Sequence, residues 1–144
     1  MQLTETDQTR AAVHEAGHAL VAVSRGVAVG SIELDGVNGA GGARLVQEPS
    51  GLDRLWILHG GPQAEKVIFG KWVPTNISSD HDDISLAVKT SSSLGIFNPA
   101  VMLQVEQFLR EHRAGLELIA RRLVEVGTLQ GVELERLLQE GLAT

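Results

Sequence analysis

The stretch His14-Glu15-Ala16-Gly17-His18 constrains this chain more than any other part of its sequence. Two histidines four residues apart on an α-helix lie on the same face, so both imidazoles can reach a single metal ion. The glutamate beside the first histidine then projects towards the remaining coordination positions. The pattern predicts a zinc (Zn2+) site with His14 and His18 as ligands and Glu15 as the general base of a hydrolytic reaction.

The flanking residues predict that both histidines belong to one helix. Thr4, Thr6 and Asp7 are candidate N-caps, and Gly26 follows the expected last turn. Apolar residues recur between them at helical spacing: Ala11, Ala12, Val13, Ala16, Ala19, Leu20 and Val23. The structural alternative is a buried pair of histidines that are hydrogen-bonded to the backbone.

Length and composition predict a single domain spanning residues 1–144. Of the 144 residues, 43% are hydrophobic and 21% are charged, which is typical of a soluble globular protein. The longest apolar run, Ala19 to Val23, is far shorter than the roughly 20 residues of a membrane-spanning helix. The N-terminus is polar, so we expect no signal peptide, no membrane insertion and a cytoplasmic location. Cysteine is absent, so a zinc site must use histidine and carboxylate ligands.

The charge distribution argues against nucleic acid as a partner. The net charge is −6, and the basic residues occur singly or in pairs such as Arg121-Arg122. Such a surface repels a phosphate backbone. Tyrosine is absent and only 3% of the residues are aromatic, so a stacking platform for single-stranded nucleic acid is also missing.

The remaining sequence predicts a small hairpin followed by helices. Residues 27–34 and 43–47 have strand patterns, and Asn38-Gly39 lies between them as a turn signal. An edge strand of this hairpin could hold an extended peptide by backbone hydrogen bonds. A helix is expected over residues 52–69, where Gly60-Gly61-Pro62 indicates either a break or a close packing contact. We expect His59 within it to be structural.

A second group of polar residues precedes another helix. Asp80-His81-Asp82-Asp83 suits a helix N-terminus, for example as a capping box of Asp80 with Asp83, or it supplies a metal ligand. Further helices are predicted over residues 101–112, 114–127 and 132–138, with a turn at 128–131 and a frayed end at 141–144.

A catalytic zinc site needs a third protein ligand beside His14 and His18. Zinc sites of this type use three protein ligands and leave the fourth position open for water. Spacing alone does not choose among the downstream candidates, which are Glu65, Asp80, His81, Asp82, Asp83 and His112.

Taken together, these segments resemble the peptidase domain of the FtsH-type zinc proteases. The resemblance rests on His14-Glu15-Ala16-Gly17-His18-Ala19-Leu20-Val21, on the run from Gly60 to Gly70, on residues 79–87 and on residues 116–134. It spans nearly the whole chain. It implies a mainly α-helical fold of α+β type, a zincin-like peptidase domain with a small β-hairpin or sheet.

The resemblance also assigns residues. The family's third zinc ligand is an aspartate before Ile or Leu at the start of a helix, which corresponds to Asp83 followed by Ile84. Asp80 is the second choice, because Ser78-Ser79-Asp80 is also similar to the family's loop. Glu65 corresponds to a glutamate that supports a histidine N–H and does not bind the metal.

The implied activity is zinc-dependent hydrolysis of peptide bonds. The family's ATPase and membrane anchors are absent from this sequence, so we expect the substrate to be a peptide or an unfolded protein. A separate ATPase partner or a homo-oligomer is compatible with it. The main alternative is a catalytically silent zinc-binding regulatory or adaptor module, although the intact Glu15 argues against it. A zinc hydrolase acting on a non-peptide amide is a third interpretation.

Overall fold

The computed structural model describes residues 3–34, 42–71 and 82–144. In these ranges the elements are, in chain order, α1 (Asp7–Ser24), β1 (Val29–Glu33), β2 (Gly42–Leu45), α2 (Gly51–Phe69), α3 (Asp83–Leu94), α4 (Asn98–Glu111), α5 (Arg113–Val126), β3 (Thr128–Gln130) and α6 (Gly131–Ala143). The prediction of a mainly helical fold with a small sheet is confirmed. Among the helices in these ranges, none combines the length and the hydropathy needed to cross a bilayer.

Helix α1 forms the centre of the fold and contacts α2, α5, α6 and the sheet. Its N-cap is Thr6, whose hydroxyl accepts a hydrogen bond from the Thr9 N–H in a capping box. The helix ends before Gly26, which has a φ of 79° and stops it as predicted. Its buried residues include both faces of the middle of the helix: Ala12, Val13, Ala16, Gly17, His18, Ala19, Leu20, Val21 and Ala22.

The sheet has the order β2-β1-β3, and both pairs of strands are antiparallel. Ile32 of β1 lies between Ala43 of β2 and Leu129 of β3, and the side chains of Ile32 and Leu129 are completely buried. The prediction of a turn at residues 128–131 is therefore wrong, because Thr128–Gln130 pairs with β1. Strand β2 is left as an edge strand of the described sheet.

Helix α2 continues through Gly60-Gly61-Pro62, so close packing and not a break explains the two glycines. A β-carbon on Gly17 would lie 2.3 Å from the carbonyl oxygen of Gly60 and 2.5 Å from Cβ of Ala64. Contacts this close require that Gly17 and Gly60 have no side chain. The backbones of α1 and α2 can therefore cross directly beneath the two histidines.

The start of α3 differs in detail from the expected capping box. Asp82 is the N-cap, and its carboxylate accepts a hydrogen bond of 2.8 Å from the Ser85 N–H. Asp80, His81 and the predicted hairpin turn at Asn38-Gly39 lie outside the described residues. At the other end of the chain, α6 runs to Ala143 where the sequence predicted fraying.

Candidate metal centre

Three of the predicted site residues meet between α1 and the first turn of α3. Nε2 of His14 lies 2.8 Å from Oδ2 of Asp83, and Nε2 of His18 lies 3.0 Å from the same oxygen. The two Nε2 atoms are 3.1 Å apart. The ligand atoms of these three side chains are therefore close enough to share one metal ion. Among the described residues, His14, His18 and Asp83 are the histidine and acidic side chains grouped in this way.

The other nitrogen of each imidazole is held by α2. Nδ1–H of His14 donates to Oε2 of Glu65 at 2.7 Å, and Nδ1–H of His18 donates to the carbonyl oxygen of Ile57, also at 2.7 Å. These bonds fix the orientation of both rings and direct each Nε2 towards Asp83, where it can serve as a donor atom for a metal. Partners of this kind are the usual companions of metal-binding histidines.

Gly61 of α2 lies directly against the two Nε2 atoms. A β-carbon at this position would lie 2.5 Å from Nε2 of His14 and 2.5 Å from Nε2 of His18. Any side chain on residue 61 would therefore occupy the space in which the donor atoms converge. The second glycine of the Gly60-Gly61 pair keeps this space open.

The donor set fits a zinc ion. Tetrahedral zinc with ligand distances of about 2.0–2.1 Å places its ligand atoms about 3.3 Å apart. The three distances among the donor atoms here, 2.8, 3.0 and 3.1 Å, are slightly shorter than that spacing. Two imidazole nitrogens and one carboxylate oxygen are also a normal set of zinc ligands, and they leave a fourth position for water or substrate.

The three side chains are strongly coupled electrostatically. Burial alone lowers the pKa of His14, but the hydrogen bonds that its imidazole donates to the carboxylates of Asp83 and Glu65, with the charge of Glu15, outweigh it and raise that pKa to about 10. Burial also opposes the charged form of His18, yet the negative charge of Asp83 raises its pKa. Burial likewise disfavours the charged form of Asp83, but the histidines lower its pKa. A metal ion must therefore compete with protons for these donors.

Glu15 lies beside the cluster and faces the edge strand. Its Oε1 atom is 4.0 Å from Nε2 of His14, and its side chain is largely buried, with 15% exposed. A β-carbon on Gly42, the first residue of β2, would lie 3.2 Å from Oε2 of Glu15. The carboxylate is thus placed between the converging Nε2 and Oδ2 atoms and β2, an edge strand of the described sheet.

The remaining candidates for the third ligand have other positions. Glu65 lies at the site, but it contacts Nδ1 of His14 and not the converging Nε2 atoms. Asp82 caps α3, and His112 lies at the junction of α4 and α5. The second choice, Asp80, and the neighbouring His81 lie outside the described residues.

Sequence reasoning missed two groups that lie beside the site, one in contact with His18 and one in contact with Glu65. The carbonyl of Ile57 gives no signal, because every residue has a carbonyl group and only the path of α2 brings this one to His18. Arg10 did leave a signal, since it stands four residues before His14 and therefore on the same face of α1. Its Nε atom lies 3.9 Å from Oε1 of Glu65.

Comparison with known proteins identifies similar sequences. The profile of the Peptidase M50B-like family matches residues 7–96, which include the two histidines, Glu65 and Asp83. The chain is also 29% identical, over 181 aligned positions, to the ATP-dependent zinc metalloprotease FtsH 2 of Sphaerobacter thermophilus. That alignment covers 95% of this chain and 28% of the relative. The chain thus spans little more than a quarter of the relative's length.

Proposed function

This chain belongs to the Peptidase M50B-like family, and from that premise we propose that it is a zinc-dependent metallopeptidase that hydrolyses peptide bonds in peptides or unfolded proteins. One observation carries the proposal. The donor atoms of His14, His18 and Asp83 converge at 2.8–3.1 Å beside the carboxylate of Glu15. A protease-type family and a zinc metalloprotease among its relatives agree with this chemistry.

The proposed ligands are His14, His18 and Asp83. Zinc bound by three protein side chains supplies Lewis-acid chemistry and makes water nucleophilic near neutral pH. Glu65 and the carbonyl of Ile57 keep the two imidazoles in the orientation that exposes Nε2. The protein thereby presents its donor atoms preorganised, which limits the loss of side-chain entropy on binding.

Glu15 is the proposed general base. It accepts a proton from the attacking water on its carboxylate and then delivers that proton to the amine that leaves. The position of Glu15 beside Gly42 supports this role, because a peptide paired with β2 would run past the carboxylate. An edge strand binds an extended chain by its free backbone groups, so the substrate must be extended and not folded.

The FtsH-type relative is much longer than this chain. The relative is named an ATP-dependent protease, and this chain matches only 28% of it. We infer that the domain acts as the peptidase unit, that unfolding of protein substrates depends on a separate ATPase partner, and that a homo-oligomer is also compatible with this role. Peptides and unfolded proteins need no such help.

The substitution Glu15→Gln tests the proposed reaction. We expect the variant to retain about one zinc per chain, because its imidazoles are unchanged, and to lose at least about 100-fold in cleavage of casein, because the base is absent. Zinc content is measured by atomic absorption and cleavage by release of labelled peptides. Glu140→Gln, on the exposed face of α6, is the matched control and should cleave casein normally.

The opposite result would favour the alternative function. If the wild-type protein binds zinc but cleaves neither casein nor short peptides between pH 6 and 9, the chain is a catalytically silent zinc-binding regulatory or adaptor module. Equal cleavage by the wild-type protein and Glu15→Gln would instead remove Glu15 from the mechanism.

A further inference from the structure

We propose that Arg10 is a positioning residue of the metal centre, which acts by holding the Glu65 carboxylate that orients His14. The inference rests on the proposed function only in that His14 must bind zinc. Arg10 lies outside the His-Glu-x-x-His motif, one helical turn before its first histidine. Its role follows from the way in which α1 and α2 pack.

Helices α1 and α2 run antiparallel along their contact. The early residue Arg10 reaches Phe69 near the end of α2, while the later residue His18 reaches Ile57 in its first half. Arg10 and His14 are one turn apart on α1, and both face Glu65. A single carboxylate of α2 thus lies between a guanidinium and an imidazole of α1.

Arg10 is itself held in place. Its Cζ atom lies 5.9 Å from the centre of the Phe69 ring, and its guanidinium forms an ion pair with Glu5. Its side chain is only 12% exposed. A guanidinium that lies over an aromatic ring within about 6 Å and beside a carboxylate is a typical arrangement of arginine and one that lysine reproduces poorly.

Glu65 has few other partners. Its side chain is 4% exposed, Oε2 accepts the hydrogen bond from His14, and Oε1 has no hydrogen-bond partner in the described part of the chain. In the same part of the chain, the guanidinium of Arg10 is the permanently charged cation within 4.0 Å of the Glu65 carboxylate. Burying a carboxylate without a compensating charge is costly. Without Arg10, the Glu65 carboxylate would turn towards water and the ring of His14 would lose its fixed orientation.

A double-mutant cycle on zinc affinity tests this inference. The dissociation constant for zinc is measured by competition with a chelating dye in the wild-type protein, Arg10→Gln, Glu65→Gln and the double variant. Loss of a group that supports a metal-binding histidine costs about 10–100-fold in affinity, which we expect for Glu65→Gln. For Arg10→Gln, which acts one step further away, we expect a loss of about threefold to tenfold. In the double variant, the change at Arg10 should add nothing.

A purely structural role of Arg10 would give a different result. An unchanged zinc affinity in Arg10→Gln would overturn the inference, and so would an equal loss in the wild-type and Glu65→Gln backgrounds. If Arg10→Gln does not fold, the cycle is run with Arg10→Met, whose unbranched stem still packs on Phe69. Arg110→Gln removes an exposed guanidinium of α4 and should leave zinc affinity unchanged within about twofold.

The result is independent of the peptidase test. The cycle measures zinc binding without a substrate, so a protein that binds zinc and cleaves nothing can still confirm or overturn the role of Arg10. Cleavage by the same wild-type preparation is recorded separately and bears only on the proposed reaction.

Discussion

At the scale of single residues, the buried imidazole of His59 is a titratable group that does not belong to the proposed metal ligands. The side chain is completely buried, and Nε2–H donates to Oδ1 of Asn98 at 2.7 Å. Nδ1 has no hydrogen-bond partner in the described residues. Burial lowers the pKa of His59, and neither the bond to Asn98 nor the charge of Asp83 compensates for it.

The lowered pKa predicts that His59 destabilises the fold in acid. Below the ordinary value of 6.5, the unfolded chain binds a proton that the folded chain binds only at lower pH, so the free energy of unfolding falls as the pH falls. The slope contributed by one such group is at most about 1.4 kcal/mol per pH unit. Urea unfolding of His59→Gln should show a shallower loss between pH 7 and 5 than the wild-type protein.

The same measurement contains its control. Above about pH 7.5, His59 is neutral in both the folded and the unfolded chain, so the pH profiles of the wild-type protein and His59→Gln should run parallel there. Parallel profiles below pH 6.5 as well would show that His59 does not carry the titration. The prediction that His59 is structural fits its bond to Asn98.

At the scale of single residues, sequence patterns predict which side chains lie close together, but they do not predict contacts made by backbone groups. The four-residue spacing brought His14 and His18 to one face of a helix, as the structure has them. Asp83 could be chosen over its neighbours only through the family resemblance, because contact between α1 and α3 depends on the whole fold. The carbonyl of Ile57 could not be predicted at all.

At the scale of elements, two pairs of helices meet through glycines. Gly17 of α1 contacts Gly60 of α2, and a β-carbon on Gly115 of α5 would lie 2.2 Å from the carbonyl oxygen of Gly141 in α6. Only the first crossing lies under the candidate metal centre. The two crossings therefore separate the effect of helix packing on stability from its effect on the site.

We predict that Gly17→Ala and Gly115→Ala both destabilise the metal-free protein by about 1–3 kcal/mol, because overpacking outweighs the better helix propensity of alanine. Gly17→Ala should also weaken zinc binding, since it moves α2 and with it Gly61 and Glu65. Gly115→Ala should bind zinc as the wild-type protein does. Guanidinium unfolding with chelator and zinc titration of the folded variants provide the two measurements.

A strand position supplies the control for these substitutions. A β-carbon on Gly30 of β1 would have its nearest neighbour at 3.6 Å, so Gly30→Ala should change little. The packing explanation would be wrong if Gly17→Ala were as stable as the wild-type protein. Equal losses of zinc affinity in Gly17→Ala and Gly115→Ala would show that the crossing under the site has no special role.

Elements defined by local pattern were predicted well, and those defined by distant partners were not. The caps and apolar spacing of α1 are contained in its own residues. By contrast, Thr128–Gln130 looks like a turn between glycines and becomes a strand only because β1 offers it a free edge. Helix α2 likewise continues through Gly60 and Gly61 because α1 packs against both glycines, and it also includes Pro62.

At the scale of the whole molecule, the proposed zinc ion joins parts of the chain that are far apart in sequence. Asp83 follows His18 by 65 residues and His14 by 69 residues. A ligand that binds only the folded arrangement stabilises it by mass action. Bound zinc should therefore link α1 to α3 and stabilise the folded protein.

We predict that free zinc at about 100 times its dissociation constant stabilises the protein by about 2.7 kcal/mol and raises its Tm by about 8 °C, and that a chelator reverses both changes. Asp83→Asn should remove most of this shift, because it removes a proposed ligand. Asp82→Asn is the matched control: asparagine caps a helix about as well as aspartate, so α3 should stay intact and the zinc-dependent shift should persist.

Asp80→Asn completes the set, because Asp80 is the other candidate for the third ligand. Calorimetry with and without zinc compares the three variants on the same scale. If Asp83 closes the site, Asp80→Asn behaves like the wild-type protein and only Asp83→Asn loses the shift. Loss of the shift in Asp80→Asn with its retention in Asp83→Asn would instead place Asp80 on the metal, and the contact of Asp83 with the two histidines would then be a feature of the metal-free protein.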